Sequence, residues 1–154
     1  MTRLRRQRIA FWVVALLLCC VGILWGLPNH WDFAQDSVVP LGQLARMDAT
    51  GEAVTQYRYP PFHLELLSVL FAPVRRLTAA TAIGQNEKLS ATLFIMAARL
   101  VSVAMTLGTL GFLIATGRRL WDERTGLMAA LLFLLSPATL YYAKNANLDM
   151  PYVF

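Results

Sequence analysis

Asp36 and Asp149 each stand beside an apolar segment with no opposite charge within three residues. A carboxylate at a low-dielectric surface has its pKa raised by desolvation, which suits it to take up a proton, and near a membrane it needs a partner or a task. A simpler role is open to Asp36, because it or Ser37 can cap the short helix that follows. The cations to set against these acids are Arg58, Arg99 and Lys144. Arg58 opens Arg58-Tyr59-Pro60-Pro61-Phe62-His63, where the two prolines hold an extended approach that either aims Arg58 and His63 at a ligand or forms an interfacial turn. His63 has no second ligand at metal spacing and reads as structural. Arg99 interrupts an apolar run, where a charge is costly unless it serves a purpose, while Lys144 follows Tyr141-Tyr142 as an interface anchor would.

The elements that must position these groups are apolar. Of 154 residues 57% are hydrophobic and 15% charged, with a mean hydropathy of +0.51, which indicates an integral membrane protein. The formal charge of +5 does not form a nucleic-acid footprint, because the basic residues sit at the ends of apolar runs. Cys19 and Cys20 are sequence neighbours and offer neither an ordinary disulfide nor metal-ligand spacing.

Three runs are long enough to span. Ile9 to Leu27 is uncharged and would rise about 28 Å as a helix, and it follows Arg3, Arg5, Arg6 and Arg8 in the manner of a signal anchor with a cytoplasmic N-terminus. A second span is expected at about 91–116 and a third at 125–143, kinked at Pro137, with the charged turn from Gly117 to Arg124 between them. Phe62 to Val74 is short, about 20 Å as a helix, and carries Glu65 inside it. If it crossed, the turn holding Arg118, Arg119 and Arg124 would lie outside, so it is placed as an interfacial or re-entrant helix on the outer face; the competing arrangement is a tilted span with Arg75 and Arg76 inside.

Three spans put the segment 28–90 and the residues from Asn145 onward on one, non-cytoplasmic side, together with Asp36 and Asp149. The acidic loop from Pro28 to Pro61 holds Asp32, Asp36, Asp48 and Glu52 against Arg46 and Arg58. Within it Val38, Leu41, Leu44 and Ala45 predict an amphipathic helix along the surface, with Pro40 near its first turn. Tyr152-Val153-Phe154 reads as the start of a fourth span, so the chain is expected to be truncated there.

In order and spacing, several of these segments together resemble a known family. They are Asp36 with Met47 eleven residues on, Tyr59-Pro60-Pro61, Ala98-Arg99-Leu100, Arg118-Arg119-Leu120, and Ala143 through Asp149 before an apolar segment. The chain is similar to the opening of the lipid-dependent membrane glycosyltransferases of the GT-C fold, glycosyltransferase family 39, which include dolichyl-phosphate-mannose protein mannosyltransferases and bacterial lipid A aminoarabinose transferases. The resemblance implies an all-α membrane fold, GT-C-like, with three transmembrane helices plus outer-face juxtamembrane helices, the N-terminal portion (1–154) of a polytopic transferase. The implied activity is transfer of a sugar from a polyprenyl-phosphate donor to a protein, lipid or glycan acceptor on the non-cytoplasmic face, with inversion at the anomeric carbon. A bacterial inner membrane with a periplasmic active face is the expected setting, and the fragment alone is expected to be inactive.

By that resemblance Asp36 and Asp149 are the catalytic carboxylates, Asp36 as the base that takes the acceptor hydroxyl proton. Arg58, Arg99 and Lys144 are the candidates for holding the departing phosphate. The chain departs from the family in having Ser37 where Glu is usual and Asn147 where Asp is usual. The second departure argues against a metal-binding acidic pair; no cofactor or metal ligand is assigned, and a divalent metal is left open. Implied partners are a lipid-linked sugar donor, an acceptor of unknown identity and membrane lipids, with no nucleic acid. Two other classes compete. A transporter or channel piece would line a path with Glu65, Arg99 and Asp149, and a non-catalytic assembly subunit would use the same charges as interface residues.

Overall fold

The computed structural model describes residues 3–28 and 62–145. In chain order these form α1 (Arg3–Cys20), α2 (Phe62–Ala80), a 3-10 turn (Ala82–Gln85), α3 (Glu87–Leu120), α4 (Glu123–Leu134) and α5 (Pro137–Tyr142). The described chain is mostly helical, and α3 is long and apolar enough to cross a membrane. Two compact units result. One holds α1, α3 from Leu100, α4 and α5; the other holds residues 24–28, α2, the 3-10 turn and α3 as far as Arg99.

In the first unit the helices share a core of Ala15, Cys19, Val103, Leu110, Ile114, Ala130, Leu134 and Ala143. The small members of that set let helices approach closely, as expected where packing and not water exclusion drives association. The tightest approach joins α3 to α4. A Cβ on Gly117 would fall 2.3 Å from Cα of Gly126, and one on Gly126 would fall 2.6 Å from the carbonyl oxygen of Ile114. Between the two helices Asp122 is an N-cap whose Oδ1 accepts from the Thr125 N–H at 2.7 Å. Thr106 and Thr109 on α3 return their hydroxyls to carbonyls one turn back, at 2.8 and 3.0 Å, which satisfies them without water.

Helix directions in this unit follow from two contacts. Arg8 Nε lies 3.3 Å from Glu123 Oε1, so the start of α1 adjoins the start of α4. At the far ends Lys144 Nζ donates to the Val21 carbonyl at 3.0 Å. Chain direction is therefore up through α1, down through α3 from Leu100, and up again through α4 and α5.

Three boundaries differ from the sequence expectation. The apolar run from Ile9 to Leu27 is helical only to Cys20; Gly22 (φ 80°) and Gly26 (φ 77°) take the left-handed conformation that ends helices, and residues 21–26 turn. Pro137 does not kink one helix but divides it in two. It stands at the first turn of α5, where its missing N–H is not needed, and the Ser136 carbonyl, not its hydroxyl, takes the Leu140 N–H at 3.0 Å. The helix expected over Phe62 to Val74 continues to Ala80, carrying Pro73 inside it, with the Arg75 guanidinium donating to the Ser68 carbonyl at 3.4 Å.

The second unit is a helical hairpin. Phe71 of α2 is fully buried and meets Phe94 of α3 edge-on, with ring centroids 5.3 Å apart. The 3-10 turn returns the chain so tightly that a Cβ on Gly84 would lie 2.2 Å from the Thr78 carbonyl oxygen. Asn86 Oδ1 accepts from the Leu89 N–H at 3.2 Å and starts α3.

Candidate functional site

Of the five residues singled out for chemistry, Asp36, Arg58 and Asp149 lie outside the described residues, as do the amphipathic segment after Asp36 and the Tyr59-Pro60-Pro61 entry. Arg99 and Lys144 are described, and each has a built environment.

Arg99 is 1% exposed, the bulkiest fully buried side chain among the described residues. It stands on α3 with Ile95 and Ala98, also buried, on the turn before it. Its Nη1 donates to the Trp25 carbonyl at 3.0 Å. A guanidinium carries five N–H donors in a rigid fork, and one arm here fixes a backbone carbonyl. This explains how the sequence tolerates an arginine in an apolar run: it is hydrogen-bonded to backbone that the preceding helix leaves open.

Lys144 follows α5 immediately. Its ammonium bonds the carbonyl of Val21, the residue after the last turn of α1, where the helix dipole favours a cation. The Lys144–Val21 contact thus lies within the first unit and the Arg99–Trp25 contact within the second. Beside Lys144, Asn145 is 8% exposed and its Nδ2 has no hydrogen-bond partner among the described residues. The amide is a polar group the sequence reading did not weigh; its place just after a tyrosine pair and a lysine looks like any interfacial run. The role of the 21–26 turn was also missed, although Gly22 and Gly26 near the end of an apolar run are a helix-stop signal.

Other features of the described residues do not make a competing site. No group of three or more His, Cys, Asp or Glu that could hold a metal ion occurs among them. A polar hollow lined by Thr78, Ala79, Thr81, Gly84, Gln85 and Ser90 contains no charged side chain. Arg99 and Lys144 are thus cations that each bond a backbone carbonyl within their own unit. Comparison with protein-family models, with curated proteins and with solved structures returns no match.

Proposed function

We propose that this chain is the N-terminal part of a GT-C-like membrane transferase that moves a sugar from a polyprenyl-phosphate carrier to an acceptor on the non-cytoplasmic face. The observation that carries the proposal is the contact between Lys144 Nζ and the Val21 carbonyl. It joins the end of α1 to the end of α5 within the first unit. The proposal assigns Asp36 and Asp149, both outside the described residues, to a single outer-face site. Helix length supports one crossing of the bilayer, since α3 is long and apolar enough to span it.

In this mechanism Asp36 accepts the proton of the acceptor hydroxyl as its oxygen attacks the anomeric carbon, and the carbon–oxygen bond to the lipid phosphate breaks with the electron pair leaving on phosphate. Arg58, Arg99 and Lys144 offset the charge that accumulates there. Asp149 completes the acidic pair, and the acceptor binds from the periplasmic side of an inner membrane. The test is transfer from a radiolabelled polyprenyl-phosphate sugar in membranes containing the complete transferase of which this chain is proposed to be the N-terminal part. Asp36→Asn is expected to lower transfer by roughly a hundred- to ten-thousand-fold with membrane insertion unchanged. Turnover at the wild-type rate would remove Asp36 as the base.

A further inference from the structure

At the end of the first unit opposite Lys144, six arginines gather. Arg5, Arg6 and Arg8 belong to the first turns of α1, Arg118 and Arg119 to the last turn of α3, and Arg124 to the first turn of α4. Ion pairing of Arg8 with Glu123 brings the start of α1 to the start of α4, and the Gly117–Gly126 crossing brings the end of α3 there. Among the described residues two acids, Asp122 and Glu123, stand with them. Asp122 is the α4 cap and lies in the field of Arg124, and Glu123 faces Arg8, so these two acids leave the group strongly positive; Arg118, Arg119 and Arg124 are all exposed.

Next to this charge the surface becomes apolar at once. Leu120 is 61% and Trp121 71% exposed, and Ile9 and Met128 continue the exposed apolar surface along α1 and α4. An amphipathic indole at the level of a ring of guanidinium groups is the arrangement of the headgroup zone, where tryptophan is enriched and basic residues meet phosphate. A soluble acidic partner would match the charge but leave Leu120 and Trp121 in water. We infer that the arginine end of this unit is a binding surface for anionic phospholipid headgroups, with the arginines on phosphate oxygens and Trp121 and Leu120 at the acyl boundary. It is independent of the transfer activity.

The experiment reconstitutes the whole chain in phosphatidylcholine bilayers containing a small fraction of spin-labelled phosphatidylglycerol or spin-labelled phosphatidylcholine, and reads the motionally restricted lipid fraction. Phosphatidylglycerol is expected to associate several-fold more strongly than phosphatidylcholine at low salt, since each arginine near the surface contributes roughly a fivefold preference at most. Replacing Arg118→Gln, Arg119→Gln and Arg124→Gln together should bring the ratio close to one, and the corresponding lysine substitutions should keep it. On the unmutated chain, raising salt to molar levels should also abolish the preference, which gives a readout that does not depend on folding of a variant. Equal association of both lipids, a preference that survives the triple glutamine substitution, or one that is indifferent to salt would each overturn the inference.

Discussion

Arg99 and Lys144 look alike in sequence, as cations beside apolar runs, yet their surroundings predict different responses to substitution. Arg99 is buried and bonded to the Trp25 carbonyl, so Arg99→Gln leaves a polar acceptor inside the fold without its donor. A loss of about 1–3 kcal/mol is expected, read as a lowered thermal midpoint in detergent micelles. Lys144 reaches its carbonyl from a more accessible position, and Lys144→Met should cost less than about 1 kcal/mol in the same measurement. Equal effects at the two positions would contradict the environments described for them. If the same two substitutions are assayed for transfer, a defect at Lys144 out of proportion to its stability effect is the mark of contact with an anion, while a merely structural lysine would lose activity only as it loses fold.

At the scale of elements, the α3–α4 hairpin depends on two features that can be tested separately. Gly126→Ala places a methyl group 2.6 Å from the Ile114 carbonyl, a backbone atom that cannot move alone, so the helices must separate. The expected destabilisation is about 1–3 kcal/mol, detectable as a lower thermal midpoint, whereas Gly22→Ala meets no atom and suffers only from its left-handed backbone. The cap is pH-dependent. The Asp122 carboxyl is held below its ordinary value of 3.8, first by the Thr125 backbone N–H, so its contribution is present above that value and is lost as pH falls through the lowered folded-state value. Amide protection at the first turn of α4, taken relative to the intrinsic exchange rate at each pH, should therefore fall on acidification below pH 3.8 in the wild type and show no such step in Asp122→Asn. Much of this element map was legible in the sequence. Uncharged length located α3, and Arg118-Arg119 with Asp122 marked the turn after it. Helix ends were less legible because hydropathy does not register backbone conformation: Gly22 stops α1 within an unbroken apolar run, and Pro137 serves as a first-turn residue where its position mid-run suggested a kink. Arg75 and Arg76 read as the end of a helix, but α2 passes through them to Ala80, and the Arg75 side chain turns back onto the Ser68 carbonyl. For the site, sequence could nominate Arg99 as a costly charge but not its partner, since the Trp25 carbonyl is a backbone atom 74 residues away.

For the whole molecule the decisive quantity is which face of the membrane each connecting segment occupies. Within the first unit the Arg8–Glu123 pair marks one end and the Lys144–Val21 contact marks the other, so an odd number of crossings between Arg8 and Lys144 follows if the unit spans the bilayer. Single cysteines at Ser37 and Asn147, in a background where Cys19 and Cys20 are serine, convert this into a measurement with a membrane-impermeant thiol reagent. Ser37 and Asn147 are both expected to label from outside in right-side-out vesicles, and a cysteine at Trp121 only after the membrane is opened, because it lies at the arginine end. Labelling of Asn147 and Trp121 from the same side would break the up-down-up order of the unit. Labelling of Ser37 from outside with Asn147 reached only from the cytoplasm would put the Asp36 and Asp149 segments on opposite faces, and no single outer site could then contain both carboxylates. The transfer mechanism stands on their sharing a face, so this topology is the condition that any sugar-transfer assay presupposes.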